Sequence, residues 1–177
     1  MENKVIITAA ITGSRMMRDI APYIPLTPEE ITQSAIECWQ AGAAVVHIHV
    51  RDPKTGLGSQ DIELFRRVVE PLREKTDLIL SLTTSGIPGR NLSIEERLAP
   101  LALKPEMASF DAGSINLGGG VFINDQVFLD QAALKMKETG VKPEIEIFDL
   151  GMMVTTLRMH KEGKLTDPLH FLSLIHI

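Results

Sequence analysis

What most limits the fold of this chain is the spacing of its apolar runs. Short segments rich in Val, Ile and Leu recur roughly every thirty to forty residues with amphipathic stretches between them, the rhythm of strands and crossover helices in a parallel sheet. Strands are expected near Val5 to Ala10, Ala44 to Val50, Leu78 to Leu82, Met107 to Asp111, Glu144 to Phe148 and Leu169 to Phe171. The intervening helices carry their own punctuation. Thr27-Pro28-Glu29-Glu30 places a capping Thr before a Pro at the first helical position and a Glu where it closes a capping box. Ser93-Ile94-Glu95-Glu96 repeats that logic, and Ile62, Phe65, Val68, Val69 and Leu72 trace one apolar stripe at helical spacing. Gly42, Gly140 and Gly163 suit helix ends, where a left-handed residue is often needed.

Alternation within the strands separates a barrel from an open sheet. In Val46-His47-Ile48-His49-Val50 the apolar residues face one side and both histidines the other. Glu144-Ile145-Glu146-Ile147 and Ser109-Phe110-Asp111 split the same way. An open doubly wound sheet covers both faces with helices, which would bury these polar groups at a cost of about 1–3 kcal/mol for each left unsatisfied. A TIM (β/α)8 barrel resolves the conflict, because its inner face can be polar near the carboxyl ends of the strands. The fold class expected is therefore α/β, a TIM barrel. With no repeat or linker to divide it, residues 1–172 are expected to form one domain, an incomplete barrel.

Composition narrows the function. The chain has 177 residues, 44% hydrophobic and 23% charged, with a net charge of −5. No cluster of Lys and Arg offers a face to nucleic acid or to an anionic membrane, so a small-molecule partner is expected. Cys38 is the only cysteine, which precludes an internal disulfide and suits a reducing, cytoplasmic setting. The N-terminus shows no signal-peptide pattern, and no apolar run approaches the roughly 20 residues of a membrane span.

His47 and His49 project in parallel from one strand and can reach one metal ion, although lining a polar interior is an equal reading of the pair alone. A third ligand is needed, and Glu146 is the nearby interior carboxylate with suitable chemistry. Glu144 and Glu146 are candidate acids or bases; a salt bridge to Arg51 or Lys142 is an equal reading for Glu144. Arg51-Asp52 serves as a supporting partner or as a surface turn. Thr83-Thr84-Ser85-Gly86 follows the third strand and could present donors to a carboxylate, or form an ordinary hydroxyl-rich turn. Asn116-Leu117-Gly118-Gly119-Gly120 lacks the spacing of a phosphate loop and reads as a flexible or ligand-contacting loop.

Joined with Thr8-Ala9-Ala10-Ile11-Thr12-Gly13 and Pro105-Glu106-Met107-Ala108-Ser109, the His47-Ile48-His49 motif resembles the β-keto acid cleavage enzymes. The likeness runs from near Val5 to about Phe171 and takes in Arg97-Leu98-Ala99-Pro100, Ala112-Gly113-Ser114-Ile115-Asn116 and Pro143-Glu144-Ile145-Glu146. It implies a barrel binding one zinc ion, with His47 and His49 as ligands. The implied reaction converts a β-keto acid plus acetyl-CoA to acetoacetate plus an acyl-CoA, zinc polarising the ketone and stabilising the enolate released on cleavage. It further implies catalytic roles for Glu146 and Thr84, and substrate contacts from Arg15, Thr84, Ser85, Gly86, Ser109 and Asp111. The lysine-fermentation member carries a carboxylate where Arg15 stands, so a substrate with a neutral or anionic tail is expected here. A full-length version is expected to be a homo-oligomer.

The resemblance also implies that a zinc-binding carboxylate, an Arg and an Asp come from later strands. A whole barrel has about eight strands and typically about 250 residues. The chain is therefore expected to be an N-terminal fragment, truncated after about six strands and inactive alone, with 173–177 a non-native tail. Two rivals stand beside this reading. An amidohydrolase-type hydrolase also uses a His-x-His strand, but on its first strand and with further histidines, of which His170 would be one. A noncatalytic small-molecule-binding fragment is the other.

Overall fold

The computed structural model describes residues 4–87, 90–117 and 120–176. Its central sheet has six parallel strands, β1 (Thr8–Ala10), β2 (Val45–Ile48), β5 (Ile79–Leu82), β6 (Met107–Asp111), β9 (Lys142–Ile147) and β10 (His170–Ser173). Helices α1 (Pro28–Gln40), α2 (Ile62–Lys75), α3 (Ile94–Leu98), α4 (Gln126–Thr139) and α5 (Leu150–Lys161) lie between successive strands, with a 3-10 turn over Ala99–Leu103 after α3. Spatial order follows chain order throughout. A doubly wound sheet reverses order at a switch point, whereas a barrel adds every strand to the same edge. The architecture is a TIM barrel carried as far as its sixth strand, and among the described residues β1 and β10 are each paired on one side only.

The alternation read from sequence decides which face meets the helices. Val46, Ile48 and Val50 pack with Ile31, Phe65, Val68, Val69 and Leu72 in one apolar cluster. Phe110, Ile145 and Ile147 pack with Phe128, Leu129, Met136 and Met152 in another. His47, Ser81, Ser109, Asp111, Glu144 and Glu146 are thereby left on the opposite face.

Both expected capping boxes form, Thr27 with Glu30 and Ser93 with Glu96. Gly42, Gly140 and Gly163 all have positive φ, and Gly140 is the left-handed cap of α4. No helix among the described residues is long and apolar enough to cross a membrane.

Several boundaries differ from expectation. The strand β1 begins only at Thr8, although Ile7 O already accepts from Ala44 and Val45 N–H, and Val5, Ile6 and Ile7 are exposed, since among the described residues no neighbour covers this edge. The expected strand over 44–50 breaks at His49; Val50–Arg51 (β3) turns instead into an antiparallel pair with Gly58–Ser59 (β4). The glycine-rich stretch is not a bare loop, because Ile115–Leu117 (β7) pairs with Gly120–Phe122 (β8) as a hairpin over the carboxyl end of β6. Gly118 and Gly119 lie outside the described residues. At the other end β10 runs through Ser173, and the Leu174 N–H bonds Ile147 O at 2.8 Å. A main-chain ladder extends regardless of which side chains it carries.

Candidate active site at the carboxyl ends of the strands

Strand register builds the polar face. His47 lies beside Ser81, Ser109 beside Glu144, Asp111 beside Glu146, and Glu144 beside His170. Glu144, 2% exposed, is the hub. Ser81 Oγ donates to its Oε2 at 2.9 Å, and His47 Nδ1 is 3.9 Å from the same oxygen and 3.4 Å from Ser81 Oγ. On the other side His170 Nε2 stands 3.8 Å from Oε1. The alternative partners expected for Glu144 are not used. Arg51 is buried and donates to the carbonyls of Gly56 at 2.7 Å and Met16 at 2.9 Å, while Lys142 Nζ reaches Thr166 O. Arg51 therefore ties the β3–β4 ribbon to the segment after β1, and Asp52 caps the turn between those strands by accepting from Lys54 and Thr55 N–H.

Burial sets the protonation states. It pushes the His47 imidazole below its ordinary range, and the nearby Glu144 carboxylate only partly opposes that. His49 is depressed well below, by burial first and then by His47 and Arg51. The two rings stand edge to face with centroids 5.0 Å apart. Neutral imidazoles present lone pairs without first shedding a proton, as metal ligation requires.

The Glu146 carboxyl is pushed up to about 9 by burial, then by Asp111 and Glu144. Asp111 is pushed up to about 6, again by burial first. Two carboxyls facing each other in a water-poor hollow resist double ionisation, so one proton stays with the pair near neutrality. Asp111 Oδ2 is buried and has no hydrogen-bond partner among the described residues. Ligand atoms of His47, Glu144 and Glu146 all lie within 4.8 Å of one another. A nitrogen and oxygen donor set with an unsatisfied carboxylate oxygen beside it suits a divalent ion such as zinc.

The remaining expected residues divide into two groups. Thr84 is fully buried, its N–H bonding Ser109 Oγ and its hydroxyl donating to Ser109 O, both at 2.9 Å. Its proton is thus committed to the neighbouring strand. Ser85 and Gly86 instead line a cavity together with Arg15. Sequence reading missed Ser81 as the donor to Glu144, and it missed Arg97 as the brace of this region. Arg97 donates to Thr84 O at 3.0 Å, Ile123 O at 3.0 Å and Asn124 Oδ1 at 2.6 Å. Ser81 did leave a signal, as the polar residue breaking the apolar run Ile79-Leu80-Ser81-Leu82.

Residues 4–177 match the profile of the beta-keto acid cleavage enzymes. The chain belongs to that family. It is 42% identical over 173 residues to the 3-keto-5-aminohexanoate cleavage enzyme of Fusobacterium nucleatum, covering 97% of this chain and 62% of that protein. The 3-dehydrocarnitine:acetyl-CoA trimethylamine transferase of Rhizobium meliloti is 36% identical over 189 residues, with 95% and 63% covered. The 3-oxoadipate:acetyl-CoA acetyltransferase of Cupriavidus necator is 37% identical over 171 residues, with 96% and 59% covered. The chain thus spans about three fifths of the length of these relatives. Among solved structures, the ternary complex of ObcA with a C4-CoA adduct and oxalate superposes with a TM-score of 0.77 at 26% identity, over 85% of this chain and 37% of that one. The hydrolase alternative finds no favour in these relationships.

Proposed function

We propose that this chain carries the metal-binding strands of an enzyme that converts a β-keto acid and acetyl-CoA to acetoacetate and an acyl-CoA. One observation supports this above all: in a member of this family, neutral imidazoles and a proton-sharing carboxyl pair converge at the carboxyl ends of parallel strands. His47 and His49 would hold one zinc ion, with Glu144 and Glu146 facing it. Bound there, zinc supplies Lewis acidity toward a carbonyl oxygen.

The protein's own groups do the rest. Ser81 and Glu144 orient the His47 ring. Glu146, protonated near neutrality, is the group able to give and take a proton. Thr84, locked to Ser109, shapes the Ser85-Gly86 turn; Arg15, Ser85 and Gly86 line the cavity above the rim and would face the substrate there, with Ser109 and Asp111 on the polar strand face below. Acetyl-CoA as co-substrate is supported by the names of two relatives. A cytoplasmic, homo-oligomeric enzyme completes the reading, in keeping with the free thiol of Cys38. This span by itself is expected to lack turnover, because the sheet is open between β1 and β10.

The test has two parts. Elemental analysis and zinc titration of the 177-residue chain should give one zinc per chain. A version extended to the length of its relatives should form acyl-CoA from β-keto acids only with acetyl-CoA and metal present. Turnover that survives chelation, or hydrolysis without acetyl-CoA, would overturn the proposal.

A further inference from the structure

The cavity above the rim, about 290 Å³, is lined on one part by the Ser85-Gly86 turn after β5 and on another by the β7–β8 hairpin. That hairpin is a two-stranded sheet of its own, and among the described residues no hydrogen bond joins either of its strands to another element. Its side chains add little hold, since Leu117 and Val121 are exposed. Two strands alone are marginal in water, so the place of this hairpin over the strand ends has to be fixed at its base.

Arg97 supplies the fixing point. It is 7% exposed, and its donors divide between the two walls. Nε donates to Thr84 O at 3.0 Å, just before the Ser85-Gly86 turn. Nη1 donates to Ile123 O at 3.0 Å, just after β8, and Nη2 to Asn124 Oδ1 at 2.6 Å. Asn124, 2% exposed, carries the connection back to the start of the hairpin. Its N–H bonds Ser114 Oγ at 2.8 Å and its side-chain amide donates to Gly113 O at 3.1 Å. The guanidinium carbon also lies 3.6 Å from the ring centroid of Phe128 on α4 and 5.2 Å from that of Phe122 on β8. A planar fork with donors in fixed directions can bridge acceptors on separate segments, which the point charge of a Lys cannot.

We propose that Arg97 is a positioning residue, a clasp that fastens the β7–β8 hairpin to the turn after β5 so that the cavity is walled before a ligand enters. It acts through the Thr84 peptide and the base of the hairpin. Its part in turnover rests on the β-keto acid reading, whereas the clasp itself belongs to the free chain. Without it, binding must first bring the walls together, and apparent affinity falls with the fraction of chains already assembled. His47, Glu144 and Glu146 stand on β2 and β9 and keep their places.

Hydrogen exchange on the metal-free 177-residue chain tests the clasp without turnover. In Arg97→Gln, and equally in Arg97→Lys, amides of β7 and β8 are expected to exchange roughly tenfold faster while those of β2 and β9 keep the parent's rates. Hairpin rates equal to the parent's, or parent rates in Arg97→Lys, would overturn the proposal. An equal rise throughout the central sheet would overturn it too, by marking a general loss of stability. Phe122→Leu, at a half-buried position, guards against an Arg97 variant that does not fold. It takes the ring off one side of the guanidinium and should speed hairpin exchange several-fold; unchanged exchange would count against the clasp. In the extended version, Arg97→Lys should raise KM for the β-keto acid roughly tenfold with kcat within about twofold. A fall in kcat at constant KM would make Arg97 part of the chemistry and overturn the positioning role. Faster hairpin exchange, in a protein whose unsubstituted extended version forms no acyl-CoA, would leave the clasp standing and sink the β-keto acid reading alone.

Discussion

Replacing Ser81 with Ala removes one buried hydroxyl and asks how far it holds Glu144 in place beside His47. Ser81 is 0% exposed and Glu144 2%. The 2.9 Å bond from Ser81 Oγ is the one side-chain hydrogen bond Glu144 receives among the described residues. A hydrogen bond to a charged group contributes about 1.5–3 kcal/mol net, and Ala fills nearly the same space, so the metal-free chain should lose about 2 kcal/mol of unfolding free energy. With a urea slope of about 1–3 kcal/mol/M, the midpoint should fall by roughly 1 M. Unfolding of the parent, Ser81→Ala, Glu144→Gln and the double variant closes a cycle whose coupling should reach about 1 kcal/mol. The same substitution frees the His47 ring from its orienting neighbour and should weaken zinc binding roughly tenfold. A Ser81→Ala midpoint equal to the parent's, or strict additivity in the cycle, would refute the idea that this hydroxyl supports a buried carboxylate.

Three further outcomes are expected. Because burial raises Glu146 to about 9 in the folded chain, the proton it binds on folding stabilises the chain fully below the ordinary carboxylate range, and that stability is lost as pH climbs through the folded value. Urea midpoints of the metal-free chain should therefore fall from about pH 5 to pH 9, and Glu146→Gln should flatten the slope; a midpoint that rises with alkali would contradict this. In zinc titrations His47→Ala should abolish stoichiometric binding and His49→Ala should weaken it at least tenfold, by roughly the energy of one ligand; undiminished binding by His49→Ala with loss in Glu144→Gln would move the ligand set to His47, Glu144 and Glu146. Gly140→Ala should cost about 1 kcal/mol in thermal unfolding, since φ is +75° and an added Cβ meets nothing within 4 Å. An unchanged melting temperature would mean that backbone strain there is relieved elsewhere.

Features with a local cause were legible in the sequence. Thr27 and Ser93 announce their helices because a cap and its reciprocal Glu are three residues apart. His47, Glu144 and Glu146 announce a polar interior because side-chain direction in a strand has a period of two. What escaped depends on contacts between distant segments. The partner of Glu144 is fixed by the register of β2 and β5 against β6 and β9, which no single strand encodes. Likewise Arg97 looks like any basic residue on a short helix until the turn after β5 and the hairpin after β6 deliver Thr84 and Asn124 to it. The break at His49 was hidden for the same reason, since Val50 continues the alternation while its main chain turns to pair with Ser59.

His47, Glu144 and Glu146 stand on strand shafts, whereas Arg15 and Arg90 ride on connecting segments beyond the strand ends. Shafts are pinned on both flanks by ladder bonds, so a change there disturbs two neighbours at once; connecting segments answer to far fewer constraints. Such a scaffold can change the wall of its cavity by altering the connections while the polar groups on its strands stay in place.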